Sequence, residues 1–249
     1  MADAAALTYR QWRLERRLFW RNPSAAFFSF LLPLLFLFLF GAIFSSDQKN
    51  LDVIVPGIAG MSMLSTTFSA LAMNMTFLRE AGVLKRIYGT PLSPSVYLGG
   101  VAANAVTNAF IQLAVVVIAG RLFFGIGWPK HWIELLVFAA VGVASLAALG
   151  VAWSHVIPNF DAAPAYTNIV FLPVIFISGV FYDVDRAPQF LRDIAQVLPL
   201  THVIDGLSGA LVTGASLGHH AGDLAVVAVW GLVGAFFAVR GFTWESSRD

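Results

Sequence analysis

Arg79-Glu80-Ala81-Gly82-Val83-Leu84-Lys85-Arg86-Ile87-Tyr88-Gly89-Thr90-Pro91-Leu92-Ser93-Pro94-Ser95 is a charged stretch between two long uncharged runs. Upstream, residues 53–78 carry no formal charge, and downstream the next apolar run extends from 96 to 120. About twenty helical residues cross a 30 Å hydrocarbon core, so each run is long enough to be a span. The stretch at 79–95 therefore reads as a loop joining two membrane-crossing helices.

Composition agrees with that reading. The 249 residues are 58% hydrophobic and 12% charged, with a mean hydropathy of +0.77. A water-soluble domain carries roughly 25% charge, and so much apolar surface would find no soluble core to enter. There is no cysteine, which excludes a disulfide framework, a thiolate metal site and a cysteine nucleophile. The first apolar run follows an arginine-rich arm and is too long for a signal-peptide core, so no cleavable leader is expected.

Outward from the loop, uncharged runs predict further spans near 25–45, 135–154, 162–182 and 224–239, giving six with 53–78 and 96–120. Residues 186–218 are apolar but interrupted by Pro199, Asp205, Gly206, Gly209 and Gly214. A lipid-exposed span with those breaks would leave backbone groups unpaired, so a re-entrant helical hairpin before the last span is expected, with an intact seventh span as the rival. The fold class is an all-α integral membrane protein, a single transmembrane domain over 1–249.

Ten of the fifteen lysines and arginines lie in the N-terminal arm, the 79–95 loop and the tail, with five on the opposite side. This bias places both termini and the loop in the cytoplasm, with Trp230 and Trp244 near the interfaces of the last span. Within 5–22, Arg10, Arg13, Arg17 and Arg21 share one helical face beside a stripe of Leu7, Leu14 and Leu18. That pattern predicts an amphipathic helix in the headgroup layer, its arginines on anionic lipid. The alternative is a flexible basic topology signal.

The element 77–95 is read as a docking loop: a short helix over 77–88, stopped at Gly89-Thr90-Pro91 because proline biases its predecessor away from helical geometry. Arg79, Glu80, Lys85 and Arg86 would form its polar surface, with Leu84 and Ile87 as knobs. A solvated turn whose charges only enforce topology is the alternative, and charge alone does not separate them.

The order of residues does. Arg79-Glu80, Ala81-Gly82, Leu84, Lys85-Arg86 and Thr90-Pro91-Leu92-Ser93 resemble the cytoplasmic loop of ABC exporter permeases of the type II group, departing at Val83 where a threonine is common. Val197-Leu198-Pro199-Leu200-Thr201-His202 with Asp205-Gly206-Leu207 resembles the family's L-P-L-T segment, which forms outer-leaflet re-entrant helices. The resemblance implies an exporter of drugs, polysaccharides or lipids in the cell (inner) membrane, working as two permease halves. Each half docks through its loop, here Arg79, Glu80, Gly82, Leu84, Lys85, Arg86, Ile87, Thr90 and Pro91, on a nucleotide-binding subunit that holds ATP and magnesium. This chain has no G-x-x-x-x-G-K-[ST] loop, so that ATPase is expected to be a separate polypeptide.

From these readings, an ATP-driven permease half that homodimerises and moves lipophilic drugs or lipid-like molecules is expected. The chain itself would be non-catalytic, with no cofactor, metal or nucleic-acid partner. An ion-coupled carrier is the alternative, disfavoured because spans one to five carry no intramembrane charge. Ser62, Ser65, Thr66, Thr67, Ser69 and Asn74 on span two, with Asn104, Thr107, Asn108 and Gln112 on span three, either line a lateral path or join helices. Pro199, Leu200, Thr201, Asp205 and Gly206 mark the re-entrant element, where Asp205 needs a partner such as a helix N-terminus or a hydroxyl. Asp183, Asp185, Arg186, Arg192 and Asp193 are expected to hold that element by salt bridges. Ser216 beside His219-His220 reads as a turn rather than a hydrolase site, and the two histidines lack evident further metal ligands.

Overall fold

The computed structural model describes residues 4–44, 47–88 and 93–241. Thr90, Pro91, Trp244 and Arg248, and the side chain of Ile87, lie outside the described residues. Eleven α-helices and no strand are found among them: α1 (Ala4–Arg21), α2 (Pro23–Ile43), α3 (Gln48–Leu64), α4 (Ala70–Glu80), α5 (Val83–Tyr88), α6 (Pro94–Phe124), α7 (Trp132–Ser154), α8 (Ala163–Ile177), α9 (Gln189–Ala195), α10 (Pro199–Ser208) and α11 (Ala221–Arg240).

Asp47 starts α3 by accepting the Lys49 amide at 3.1 Å. From there α3, a π-helical turn at Ser65–Ser69 and α4 run on as one rod, Gln48–Glu80. Every residue from Ile54 to Leu64 is buried, the signature of a helix enclosed on all sides. Ile54, Ile58 and Met61 pack with Phe138, Val143 and Leu146 of α7 and with Leu200, Val203 and Leu207 of α10. The periphery is the reverse: Leu35 and Leu39 of α2, Ile169 and Phe176 of α8, and Leu232 and Val239 of α11 are all exposed. Apolar side chains covering the outside of the bundle belong in hydrocarbon, so this is a multi-pass membrane protein.

Four helices are long and apolar enough to cross, or five if α9 and the α10 segment, bent by 88°, count as one span. The boundaries depart from expectation in two places. The run expected to end at 120 continues through Arg121 to Phe124, where Gly125 closes α6 in the left-handed region at φ 70°. Arg121 is accommodated by donating to the Ile126 carbonyl at 3.2 Å. The expected span at 162–182 stops at Ile177, because the chain turns at Gly179 with φ 75°. At about 1.5 Å per residue its helix is shorter than the hydrocarbon core.

Close backbone approach sets the packing. Gly231 and Gly234 of α11 lie against Ser145, Ala148 and Leu149 of α7, the small-residue contact by which membrane helices approach without a hydrophobic drive. On another face of α7, a Cβ at Gly150 would lie 2.5 Å from the Phe68 carbonyl oxygen in the π-helical turn. Gly150→Val should therefore push α7 off the central rod and cost about 1–3 kcal/mol. Gly127→Ala, at a position with open space around it, should be neutral. Thermal unfolding of both variants in detergent measures the difference.

Candidate functional site

The 79–95 loop folds differently from the single helix expected over 77–88. Helix α4 ends at Glu80, the chain reverses at Ala81-Gly82, and α5 begins at Val83. Gly82 has φ +66°, a conformation that strains any residue with a Cβ and interrupts a continuous helix. The freed carbonyls at this end are covered by Arg86, whose Nη2 donates to Ala81 O at 2.9 Å.

The break sends the expected surface residues to different tasks. Arg79 points inward and donates to the carbonyls of Ser154 at 3.0 Å and Ile157 at 2.7 Å. Glu80 accepts the Phe160 amide at 2.6 Å, and the Phe77 and Phe160 rings meet edge-on at 5.2 Å. Together these groups clamp the end of the central rod to the α7–α8 connection. Burial and the neighbouring Arg79 guanidinium hold the His155 imidazole in that connection below its ordinary pKa. Leu84 is 3% exposed and sits among Leu71, Met75 and Leu78 of α4, Tyr97, Val101 and Ala105 of α6 and Ala147 of α7. Among the predicted residues whose side chains are described, Glu80, Lys85 and Arg86 are exposed.

Helix α1 follows α6. Trp12 donates to the Thr107 hydroxyl at 3.0 Å and Arg16 to the Asn108 amide oxygen, while Thr8 and Gln11 lie against Gly99 and Gly100. Trp12 is thereby spent on this helix pair. Arg10, Arg13, Arg17 and Arg21 are exposed, as are Leu14 and Leu18. Between α1, α2, the π-helical turn and α6 lies a cleft of about 280 Å³ lined by Glu15, Ser65, Thr66, Asn74, Asn104 and Asn108 among others. The polar residues of spans two and three thus divide. Ser62, Thr67 and Thr76 are buried and return their hydroxyls to carbonyls of their own helix, whereas the residues around the cleft border open space. Burial pushes the Glu15 carboxyl above its ordinary pKa, partly offset by the hydrogen bond from Gln11.

A second group forms where α10 meets α11. Pro199 opens α10 at its first turn, and Leu200 and Gly206 are buried, the latter against the Phe138 ring. Among the described residues, neither a helix N-terminus nor a hydroxyl bonds to Asp205 as expected; it opens onto a cavity of about 710 Å³ shared with His202 and Asp223. The two Asp223 carboxylate oxygens lie 2.6 Å from His202 Nδ1 and 2.7 Å from His220 Nδ1. His202, His220 and Asp223 were absent from the expected site, although His-x-x-Asp occurs twice, at 202–205 and 220–223. Of the charges expected to form salt bridges nearby, Arg186 pairs with Asp183 at 3.3 Å. Arg192 and Asp193 both bond to Gln189 instead.

The family described as "ABC-2 type transporter" matches residues 4–212. The chain is similar to Nodulation protein J of Rhizobium leguminosarum bv. viciae, at 29% identity over 70% of this chain and 69% of that protein. It is similar to a protein named as a transport permease, ycf38, of Porphyra purpurea, at 29% identity over 78% and 71% of the two chains. It also resembles the linearmycin resistance permease protein LnrN of Bacillus subtilis, at 21% identity over 73% and 46%.

Two outcomes follow from the geometry. Arg79→Ala removes a charged donor from two carbonyls and should lower stability by about 1.5–3 kcal/mol, read as earlier proteolysis of the α7–α8 connection. Glu15→Gln should raise the midpoint of thermal unfolding at neutral pH. The folded-state pKa of Glu15 lies above the ordinary 4.5, so ionisation weakens the fold as pH rises through that interval. The advantage of the variant should shrink to nothing as pH falls below about 4.5.

Proposed function

The chain belongs to the ABC-2 type transporter family, and from that premise we propose that it is the permease half of an ATP-driven exporter, paired with a second copy of itself. The partner is a separate nucleotide-binding subunit, which keeps ATP and magnesium, and α5 is the element it engages. The observation that carries this reading is the seating of α5. Lys85 and Arg86 face outward, while Leu84 on the same short helix is wedged among α4, α6 and α7. A push on the outer face of α5 is passed to α4 and through the shared buried cluster toward α6 and α7, because a packed core transmits displacement rather than absorbing it. Arg79 relays it to the α7–α8 connection, and the exposed Glu80 holds that connection while remaining open to the partner.

The rest of the arrangement follows in the same proposal. The chain is one permease domain over 1–249 with six spans in the cell (inner) membrane, both termini and α5 being cytoplasmic. Residues 186–218, bent by 88° between α9 and α10, form the re-entrant hairpin on the far side. Arg10, Arg13, Arg17 and Arg21 of α1 meet anionic lipid. The substrate is a lipophilic drug or lipid-like molecule; the linearmycin resistance named for the B. subtilis relative supports that class. An apolar cleft of about 670 Å³, lined by Phe68, Trp153, Val170, Val174, Trp230 and Phe237 among others, is suited to such a molecule.

The test is co-purification of the tagged chain from its native membranes. An ATP-hydrolysing subunit should accompany it, and the double variant Lys85→Glu/Arg86→Glu should lower recovery of that subunit by about tenfold or more. Equal recovery with the variant would overturn the assignment of α5. Efflux driven by an ion gradient in proteoliposomes without any ATPase would favour an ion-coupled carrier.

A further inference from the structure

We propose that His202, Asp205 and Asp223 form a binding site for a first-row divalent metal ion that ties α10 to α11. His202 and Asp205 stand three residues apart on α10 and so share a face, and Asp223 comes from the first turn of α11. One ligand atom from each, the His202 ring nitrogen and the two carboxylate oxygens, can be chosen so that all lie within 4.8 Å of one another. Ligands on one zinc ion, bound at roughly 2.0–2.2 Å, lie within about 4 Å of each other. Side-chain rotation must draw the set closer to hold one ion.

Acidic clusters are common without a metal, and what distinguishes this one is His202. Its Nε2 lies 2.8 Å from the Gln196 carbonyl oxygen, which can only accept, so Nε2 carries a proton. In the neutral ring, Nδ1 then holds a lone pair, and it faces an Asp223 oxygen at 2.6 Å. Two lone pairs at that separation repel unless a positive charge joins them, either a second proton on the ring or a metal ion. A histidine whose far N–H is held by a backbone carbonyl is the arrangement in which metal-binding imidazoles are oriented. Asp223 is oriented in turn by His220 Nδ1 at 2.7 Å on its other oxygen.

The surroundings favour the metal. The cavity of about 710 Å³ beside these side chains leaves room for water or another ligand to complete the coordination. Asp183 and Asp185 also line it, with Arg192 as the arginine in its wall. Ser178 and Thr201 border it too; they are 1% and 6% exposed, and among the described residues their hydroxyls find no hydrogen-bond partner. Such hydroxyls can bond to metal-bound water, and a buried polar atom without any partner is costly. An imidazole ligand beside the carboxylates suits zinc, iron, nickel or copper better than magnesium or calcium. A bound ion would pin the bent α9–α10 segment to the last helix.

The experiment uses the full chain alone in lipid nanodiscs, stripped with chelator and titrated with zinc chloride by calorimetry, so its result does not depend on any ATPase. Saturable binding of one ion per chain is expected, with zinc raising the thermal midpoint and chelator reversing the rise. His202→Ala and Asp223→Asn should each weaken binding by about tenfold or more, and His219→Ala should leave it unchanged. Three results overturn the proposal. In the unmutated chain, zinc leaves the thermal midpoint where it was. The triple variant His202→Ala/Asp205→Asn/Asp223→Asn, folded by its own thermal transition, binds zinc as tightly as the unmutated chain. Or His219→Ala abolishes binding while His202→Ala does not.

Discussion

The structure depends on one enclosed helix. With every residue from Ile54 to Leu64 buried, α3 has no face for lipid or water, and its neighbours must supply all of its contacts. Helices α2, α6, α7 and α10 do so, and their own outer surfaces can then remain apolar. Hydrocarbon offers no hydrophobic drive for such an assembly; close van der Waals packing must provide it. This explains the glycines at contact points. A Cβ at Gly57 would fall 2.1 Å from the Val180 carbonyl, and one at Gly60 2.7 Å from Ile204. The turn that cuts α8 short at Ile177 is therefore also the surface on which α3 rests.

The same rod links the two ends of the molecule. At one end it terminates in Arg79 and Glu80, which hold the α7–α8 connection, and in the reversal that seats α5. Near its middle is the π-helical turn, packed against Gly150 of α7 and bordering the polar cleft beside α1. Such turns recur at functional positions because they displace the regular hydrogen-bond ladder. At the other end α3 packs on α10, which carries His202 and Asp205. Movement of the rod would reach all three places without a separate relay.

Much of this was legible from residue order. Uncharged runs located α2, α4, α7 and α11 because the cost of charge in hydrocarbon is large and local. The breaks at Pro199, Gly209 and Gly214 marked the bent segment because backbone groups left unpaired in hydrocarbon are costly. Arg121 was misleading: a long cation at a helix end can reach a free carbonyl, here Ile126, so a charge need not stop the helix. Gly82 was legible only as part of a loop pattern; its left-handed backbone, which splits the expected helix, depends on how α5 packs. The repeated His-x-x-Asp spacing was visible too, but spacing within one helix cannot say that two such pairs will face each other.

The amino-acid sequence by itself determined that this protein is an all-helical, multi-pass membrane protein, because apolar length and charge placement act residue by residue, while the order of residues in two short motifs carried the resemblance to its family. It also marked the 79–95 loop and the 197–207 segment as special. Only the tertiary structure decided what their residues do. It turned Arg79 inward to the α7–α8 connection, bonded the exposed Glu80 to the same connection, buried Leu84 and left Lys85 and Arg86 outside. It also brought His202 and Asp205 to Asp223, eighteen positions beyond Asp205. The physical reason is that hydrogen bonding and packing partners are chosen by proximity in space, and proximity between helices is set by which small residues let backbones meet.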